Sequence, residues 1–312
     1  MTDAPSPLRE HLGPAAPYAR ALVVANPVSG RCKGESAARE VCEGLRRMGV
    51  ATGIHMTSGA GDARERVRRL ETETELVVSV GGDGTLGEVL SGLWEATEAG
   101  RARVKIGVLP LGTGNALSLD LDLPRDVDRA LEVYAGARTV ALDVARVNGR
   151  LSFLVIGVGP DAAVVERVHL ARAGPISQWA YLPAALRVLA RLDPARLEVD
   201  LDGERLSGLY GQVLVSNMIH YGGLVRLSPE RVLGDGRFEV FLFRRGDRAG
   251  LVGYVLRGLL HRLPGGTCEM RRARRVRITS ERPVPYQVDG DPAGTTPVEI
   301  EVTDQRFQLL VP

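Results

Sequence analysis

The chain has 312 residues, of which 44% are hydrophobic, and its 40 basic and 38 acidic side chains give a formal net charge of +2. This length and apolar content can bury a large core and favour two domains, while the balanced charge gives no sign of a nucleic acid partner. Three scattered cysteines without CxxC spacing argue against a disulfide framework or a zinc site. No run approaches the ~20 uninterrupted apolar residues of a membrane-spanning helix.

The N-terminal segment contains acidic and proline residues where a signal peptide needs a basic start and an apolar core. We therefore expect a flexible tail over residues 1–19. Unpaired cysteines fit a reducing compartment, which predicts a cytoplasmic protein.

The following part of the chain, up to about residue 140, alternates short apolar runs with amphipathic segments. Strands are predicted at residues 21–27, 51–57, 75–81 and 104–112, and helices at 35–49, 62–71 and 86–97. This alternation is typical of crossover units, in which parallel strands are joined by helices. It predicts an α/β domain over residues 20–140, with a parallel sheet and helices on both faces.

Glycine-rich loops follow each of these four predicted strands. They read NPVSG, TSGAGDA, GGDGT and PLGTGN and begin at residues 26, 57, 81 and 110. Ligands of open parallel sheets bind at the carboxyl ends of the strands. The four loops therefore form a candidate site at one edge of the sheet.

From about Ala141 the pattern changes to short β-rich runs separated by glycine, asparagine and aspartate turns. Asn148-Gly149 and Asp202-Gly203 are hairpin signals, because these residues tolerate the positive φ angles of two-residue loops. Helical stretches are predicted at residues 177–192 and 249–263. We expect an antiparallel β-sandwich over residues 141–304, with residues 305–312 packing back onto the first domain.

The loop GGDGT also satisfies the dinucleotide-binding spacing, through Gly82, Gly84 and Gly87. That fingerprint requires an acidic residue about 20 positions later, at the end of the next strand, where this chain has proline and glycine. The loop also follows the third predicted strand instead of the first. A dehydrogenase is therefore disfavoured, and a Walker A sequence is absent.

Phosphoryl transfer explains the GGDGT loop better. Gly82 and Gly84 let the backbone approach phosphate oxygens, and the start of the following helix favours anions. Asp83 can face Mg²⁺ or accept a proton. Thr85 is predicted as the N-cap of that helix, with Glu88 completing a capping box, which gives these two residues a structural interpretation as well.

Three segments in this order resemble the diacylglycerol kinase catalytic family. They are NPVSG at residues 26–30, GGDGTLGEVLSGL at 81–93 and PLGTGNALSLDLDLP at 110–124, and similarity continues through FLVIGVGPDAAVV and YQVDGD. The family includes bacterial diacylglycerol and related lipid kinases, sphingosine kinases and ceramide kinases. The resemblance implies a phosphofructokinase-like nucleotide-binding domain, a β-sandwich lipid-binding domain, and ATP bound between them.

The resemblance also implies roles for individual residues. Asp289 would be the general base that takes the proton from the lipid hydroxyl, with Asp291 standing where a glutamate is more usual. Some members assign the base to the aspartate of GGDGT, so the division of roles between Asp83 and Asp289 stays open. Without the resemblance, DGD at residues 289–291 is also a hairpin turn. The residues implied to line the nucleotide are Asn26, Pro27, Ser29, Gly30, Thr57, Gly82, Gly84, Thr85, Glu88, Thr113, Gly114 and Asn115.

Two further regions depart from the family pattern. SPERVLGDG, at residues 228–236, matches a loop that often binds a structural Mg²⁺ through aspartates, but Glu230 and Gly234 occupy two usually acidic positions. Asp235 is retained and is the implied ligand there, beside Asp83 at the nucleotide. Ala116 and Leu117 make this stretch more similar to sphingosine and ceramide kinases, without naming a lipid.

A lipid substrate requires contact with a membrane surface. The two predicted helical stretches at 177–192 and 249–263 are basic and amphipathic, and residues 271–277 add five arginines. Such segments can lie on anionic lipid. The favoured interpretation of each helix is nevertheless a cover for the sandwich core with solvated arginines. The implied location is peripheral, at the inner face of the membrane, and a homodimer is compatible with the sequence.

Three functional classes follow. The leading one is an ATP- and Mg²⁺-dependent kinase acting on a hydroxyl of diacylglycerol, a sphingoid base or ceramide. An NAD kinase shares GGDG and the overall plan, but PLGTGNALSL and the full-length resemblance favour the lipid kinase. A non-catalytic lipid or nucleotide carrier is disfavoured because Asp83, Asp289 and the glycine loops are retained.

Overall fold

The computed structural model describes residues 17–96, 104–112, 114–170, 187, 196–222, 225–228 and 232–312. The chain divides into two compact units. The first contains residues up to Val140 together with Gln308–Pro312, and the second is Ala141–Phe307.

The first unit is built on a parallel sheet. Its strands are β1 (Arg20–Ala25), β2 (Ala51–Met56), β3 (Leu76–Gly81) and β4 (Lys105–Pro110). All pair in parallel in the order β2-β1-β3-β4, and Gln308 and Leu309 add a short parallel pairing to β4. β1 and β3 are buried almost throughout because they lie inside the sheet and both of its faces are covered.

Helices cover the two faces of this sheet. They are α1 (Ser29–Cys32), α2 (Gly34–Arg47), α3 (Asp62–Arg68), α4 (Asp83–Glu95), α5 (Ala116–Asp120) and α6 (Val127–Gly136). α2 and α6 share one apolar cluster with alternate residues of β1 and β3, such as Val23 and Val78. Leu22 and Val77 point to the opposite face and are equally buried, as are the inward residues of α3 and α4. The predicted α/β domain is confirmed.

The chain is already ordered against the first unit just before β1. Tyr18 is buried, and the Ala19 N–H donates to a carboxylate oxygen of Glu75 at 2.6 Å. Residues 17–19 therefore do not belong to a tail, and residues 1–16 of the predicted tail lie outside the described residues.

The second unit is antiparallel. Two of its strands, β5 and β18, begin or end with a few residues that belong to the first unit. The strands are β5 (Thr139–Val147), β6 (Arg150–Ser152), β7 (Val155–Val158), β8 (Leu197–Leu201), β9 (Glu204–Arg205), β10 (Gln212–Ser216), β11 (His220–Tyr221), β12 (Val225–Arg226), β13 (Phe238–Phe243), β14 (Cys268–Ala273), β15 (Arg275–Ser280), β16 (Pro285–Val288), β17 (Asp291–Thr295) and β18 (Val298–Leu310). One sheet has the order β14-β13-β10-β7-β16-β17, while β5, β6, β8, β9, β15 and β18 belong to another. Inward residues of both, among them Val213, Phe238 and Ile278, form one apolar cluster. The predicted antiparallel sandwich is confirmed.

Two helices of the second unit are described, α7 (Pro160–Leu170) and α8 (Arg248–Leu259). The latter corresponds to the helical stretch predicted at residues 249–263. The other predicted stretch, 177–192, lies outside the described residues except for Arg187. Among the described helices, none combines the length and hydropathy that a membrane crossing requires.

Candidate active site

The loops after β3 and β4 touch through their glycines. The Gly81 carbonyl accepts hydrogen bonds from the Leu111 N–H at 2.7 Å and the Gly112 N–H at 3.2 Å. A Cβ added to Gly112 would lie 2.6 Å from the Cα of Gly82. This approach is open only to glycine, which explains why these loops are rich in it.

The loop after β1 joins the same strand edge. The Asn26 N–H donates to the Val80 carbonyl at 3.0 Å, and the Ser29 hydroxyl donates to the Asn26 carbonyl at 2.7 Å. Gly30 has a φ of +58°, and a Cβ there would lie 3.1 Å from the Cβ of Leu111 in the loop after β4. The parallel strands thus place Asn26, Ser29 and Gly30 beside the glycines of the loops after β3 and β4. Pro27, in the same loop, is half-buried.

The loop after β2 reaches the same edge at Thr57. Its N–H donates to the Ala25 carbonyl at 2.8 Å, beside the start of the loop after β1. The turn is completed by Asp62, whose carboxylate accepts from the Ser58 N–H at 2.7 Å and the Ser58 hydroxyl at 2.8 Å.

The predicted capping box is wrong. α4 begins at Asp83, with Gly82 as its N-cap and no side-chain cap, so Thr85 already lies inside the helix. The carboxylate of Glu88 turns away from this helix start and accepts from the Gly61 N–H at 2.7 Å and the Ala63 N–H at 3.1 Å. Glu88 therefore caps the start of α3.

Replacing Glu88 by alanine is expected to lower the free energy of unfolding by about 1–2 kcal/mol, because two N–H groups at the start of α3 lose their acceptor. ATP affinity should stay close to that of the wild type. Thermal unfolding and calorimetric titration with ATP measure the two quantities. Glu95→Ala, on the same helix but in a surface pair with Arg64, is the control, and equal destabilisation by both variants would contradict the cap.

Asp83 connects α4 to α5. Its half-buried carboxylate accepts from the Ala116 N–H at 2.9 Å. Burial raises the pKa of this carboxyl above its usual value, against the opposing effect of the N–H groups at the start of α5. A Cβ at the neighbouring Gly84 would meet no atom within 4 Å. The loop thus has an open backbone surface beside a carboxylate.

Asn115 is held just before α5. It is buried with a φ of +49°, and its side-chain N–H donates to the Gly112 carbonyl at 2.6 Å. Its side-chain oxygen has no hydrogen-bond partner among the described residues. Gly114 packs near Asp83, and Thr113 lies outside the described residues.

The second group of predicted residues lies in the second unit and centres on Asp289. Asp289 and Gly290 have φ angles of +53° and +89° and form the two-residue turn between β16 and β17, so the hairpin interpretation is confirmed. The carboxylate also organises the β6–β7 connection. One oxygen, Oδ1, accepts from the Ser152 hydroxyl at 2.8 Å and from the N–H groups of Leu154 and Val155 at 3.0 Å.

Among the described residues, the other oxygen of Asp289, Oδ2, accepts one hydrogen bond, from the Phe153 N–H at 3.0 Å. Burial raises the pKa of Asp289 to about 6, although all four donors act in the opposite direction. The group is therefore mostly ionised at neutral pH and has spare acceptor capacity on Oδ2. Asp291, two residues later, is exposed, with an Arg150 nitrogen 3.8 Å away.

Sequence reasoning missed a buried carboxyl that is linked to this turn. The Oδ2 atom of Asp161 accepts from the Tyr221 hydroxyl at 3.1 Å and from the side-chain amide of Gln287 at 3.5 Å. The amide oxygen of Gln287 accepts in turn from the Gly290 N–H at 2.8 Å. Burial raises the pKa of Asp161 to about 6. The segment GPDAAVV, which contains Asp161, resembles the family sequence, but no local pattern in it predicts contacts with Tyr221 and Gln287.

The loop around Asp235 does not fit a Mg²⁺ site in its described residues. The Asp235 carboxylate accepts from the Arg237 N–H at 3.0 Å and lies 4.0 Å from an Arg272 nitrogen. Within the described ranges, no group of three or more His, Cys, Asp or Glu side chains is arranged to hold a metal ion. Glu230 lies outside them.

A cation from the chain itself is present beside this loop. The fully buried Asp143 carboxylate accepts from the Gly234 N–H at 2.7 Å, the Gly236 N–H at 3.2 Å and the Arg306 guanidinium at 2.9 Å. Arg306 thus neutralises the buried carboxylate that holds the turn. Asp143 and Arg306 were not identified from the sequence.

Replacing Arg306 by alanine is expected to lower the free energy of unfolding by about 1.5–3 kcal/mol, because the buried Asp143 loses a charged hydrogen bond. Arg205→Ala, which removes an exposed pair with Glu198, should cost about 1 kcal/mol or less. Denaturant unfolding measures both. A chelator should leave the melting temperature of the wild type unchanged, and a large drop with chelator would contradict neutralisation by Arg306.

Two family models match the chain in succession. The diacylglycerol kinase catalytic domain matches residues 20–147, and the YegS C-terminal NAD kinase beta sandwich-like domain matches residues 154–311. The chain belongs to the diacylglycerol kinase catalytic family. This membership confirms the sequence prediction and makes the chain an ATP-dependent lipid kinase.

Relatives named diacylglycerol kinase align with nearly the whole chain. The protein of Bacillus subtilis (strain 168) is 26% identical over 298 residues, which are 94% of this chain and 96% of the relative. That of Staphylococcus carnosus (strain TM300) is 28% identical, over 94% of this chain and 95% of the relative.

A solved structure shares the fold. The crystal structure of a diacylglycerol kinase from Bacillus anthracis str. Sterne superposes with a TM-score of 0.74 at 19% identity, covering 95% of this chain and 98% of that one. At this identity the likeness concerns architecture alone. It agrees with the α/β and antiparallel units described above.

Proposed function

We propose that this lipid kinase transfers the γ-phosphoryl group of ATP to the free hydroxyl of diacylglycerol. The observation that carries the choice of acceptor is the alignment, over 94% of the chain, with relatives named diacylglycerol kinase. A bond forms between the acceptor oxygen and the γ-phosphorus, and the bond from that phosphorus to the β–γ bridging oxygen breaks. The products are phosphatidate and ADP.

In the proposed reaction Asp289 takes the proton of the acceptor hydroxyl. Support comes from its Oδ2 atom, which has one described hydrogen bond where Oδ1 has three. A pKa of about 6 leaves the carboxylate ionised at neutral pH while keeping it basic enough to accept a proton. Four donors fix its position, which favours proton transfer in one geometry.

The glycine loops of the first unit are proposed to hold the nucleotide. The open backbone at Gly84 and the start of the 13-residue helix α4 suit phosphate oxygens. The single carboxylate of Asp83 suits a Mg²⁺ ion that is held mainly by phosphates and water, as in many kinases. Such an ion would supply charge neutralisation on the phosphates. Asn26, Ser29, Thr57, Thr113 and Asn115 complete the proposed nucleotide site.

The proposed place of action is the cytoplasmic surface of the membrane, because long-chain diacylglycerol resides in the bilayer. The absence of a spanning helix among the described residues is compatible with peripheral binding. Light scattering measures whether the protein forms the homodimer that is compatible with its sequence.

Transfer of labelled γ-phosphate from ATP tests the function. The acceptors are diacylglycerol, ceramide, sphingosine and NAD, each with and without Mg²⁺. We expect label on diacylglycerol and a strict requirement for Mg²⁺. Label on sphingosine or ceramide alone would show that the acceptor is a sphingolipid and not diacylglycerol. Label on NAD alone would show that the enzyme is an NAD kinase. An absence of transfer with intact ATP binding would favour a non-catalytic carrier.

The rate should depend on pH through Asp289. A general base acts when ionised, so kcat should be constant above about pH 6 and fall tenfold per unit below it. Asp161 titrates in the same range, and Asp161→Asn is therefore the control. We expect this variant to retain the acid limb in a pH–rate profile at saturating MgATP, and loss of the limb would assign it to Asp161.

A further inference from the structure

Among the residues that the structure describes, α8 exposes an apolar face that no other element covers. Five large aliphatic side chains on α8 and at its C-cap are between 44% and 63% exposed. They are Val252, Val255, Leu256, Leu259 and Leu260. Their spacing of three and four residues places them on one face of the helix, and we refer to these five residues as the α8 stripe.

The opposite face of α8 is anchored in the second unit. Tyr254 is buried, its ring centroid lies 4.7 Å from that of Phe243, and its hydroxyl accepts from the Arg245 N–H at 2.9 Å. Gly258 is buried as well, and a Cβ there would lie 2.2 Å from a methyl group of Val225. The sequence expectation of a helix covering the sandwich is therefore correct for this face. It does not account for the α8 stripe.

Cationic side chains accompany the stripe. Arg257, His261 and Arg262 are exposed, and no acidic residue occurs between Asp247 and Glu269. Both of these acids are engaged, Asp247 with Arg245 and Glu269 with Arg244. An exposed aliphatic face with neighbouring cations complements a bilayer that carries anionic headgroups.

We infer that the α8 stripe docks this enzyme onto an anionic lipid bilayer, with Arg257 and Arg262 beside the headgroups and the aliphatic side chains in the interface. The inference rests on the proposed function, because that function places the acceptor in a bilayer. A second copy of the chain is a poorer occupant, since a two-fold interface over the stripe would gather the same arginines from both copies.

Sedimentation with sucrose-loaded vesicles tests the inference on the full chain. The probes are vesicles of phosphatidylcholine with phosphatidylglycerol and vesicles of phosphatidylcholine alone. We expect binding to the anionic vesicles, reduced at least about tenfold by the double variant Leu256→Gln/Leu260→Gln. Arg257→Gln/Arg262→Gln should remove the preference for anionic vesicles. Leu170→Gln/Leu209→Gln, which alters exposed aliphatic residues outside α8, should bind as the wild type does.

Kinase assays separate this inference from the proposed function. Phosphorylation of a short-chain diacylglycerol dispersed in detergent should be unchanged by Leu256→Gln/Leu260→Gln, whereas phosphorylation of long-chain diacylglycerol in vesicles should fall. If no diacylglycerol is phosphorylated but vesicle binding still depends on the stripe, the docking inference stands and the acceptor is wrong. Wild-type binding by the double variant would overturn the inference. So would a dimer, detected by light scattering, that the double variant dissociates while vesicle binding persists.

Discussion

Replacing Asp289 by asparagine is expected to lower kcat by about 10²–10⁴-fold, the range contributed by a positioned proton acceptor. The amide retains the size of the carboxylate and can still accept at one oxygen, but it cannot take a proton. The KM for ATP should change little, because Asp289 and the glycine loops belong to different structural units. Steady-state kinetics with diacylglycerol in mixed micelles give both parameters.

The stability of Asp289→Asn distinguishes a catalytic role from a structural one. The pKa of Asp289 is raised to about 6 in the folded protein, so its charged form lowers the free energy of unfolding. This destabilisation is fully present above about pH 6 and disappears as the pH falls below the pKa of the unfolded chain. A neutral amide avoids this cost at neutral pH but loses the bond from the Phe153 N–H. We therefore expect a melting temperature close to that of the wild type, measured at pH 7.5.

Two further variants complete the test of Asp289. Asp304→Asn removes an exposed carboxylate of the same unit and should leave kcat unchanged. Asp83→Asn should raise the KM for MgATP if this residue serves the nucleotide and its metal. If Asp83 were the general base in place of Asp289, Asp83→Asn would lose kcat and Asp289→Asn would keep full activity.

The α/β alternation was predictable because it is encoded in local periodicity. The four parallel strands match the predicted segments, since a run such as LVVSV is buried on both faces and has no amphipathic alternative of the same length. Hairpins at Asn148-Gly149 and Asp202-Gly203 were equally visible, and both pairs adopt the expected positive φ angles. In each case the deciding interactions lie within a few residues of one another.

The missed features depend on partners that are distant in the chain. The carboxylate of Glu88 caps a helix that begins 26 residues earlier, whereas a local pattern assigned it to Thr85 three residues away. Arg306 neutralises Asp143 across a separation of 163 residues. The contact between Asp161 and Gln287 spans 126 residues. Only the tertiary fold brings such groups together, so a single sequence shows the residues without their partners.

Replacing Gly112 by alanine is expected to weaken ATP binding by at least about tenfold and to cost about 1–3 kcal/mol of stability. Its Cβ would lie 2.6 Å from the Cα of Gly82 and 2.7 Å from the side-chain oxygen of Asn115, so the loops after β3 and β4 would have to separate. Calorimetric titration with MgATP and thermal unfolding measure the two effects.

Two other glycines give matched controls for Gly112→Ala, since a Cβ at Gly84 or Gly136 would meet no atom within 4 Å. Gly136→Ala, at the end of α6, should leave ATP affinity unchanged and should not lower stability, since alanine is the better helix former. Gly84→Ala should not lower the stability, since Gly84 lies within α4 and alanine is the better helix former. It should lower ATP affinity, because a methyl group would cover backbone that the nucleotide phosphates are proposed to approach. If Gly84→Ala binds ATP as tightly as the wild type while Gly112→Ala loses only stability, the glycines serve loop packing alone and the nucleotide site must lie elsewhere.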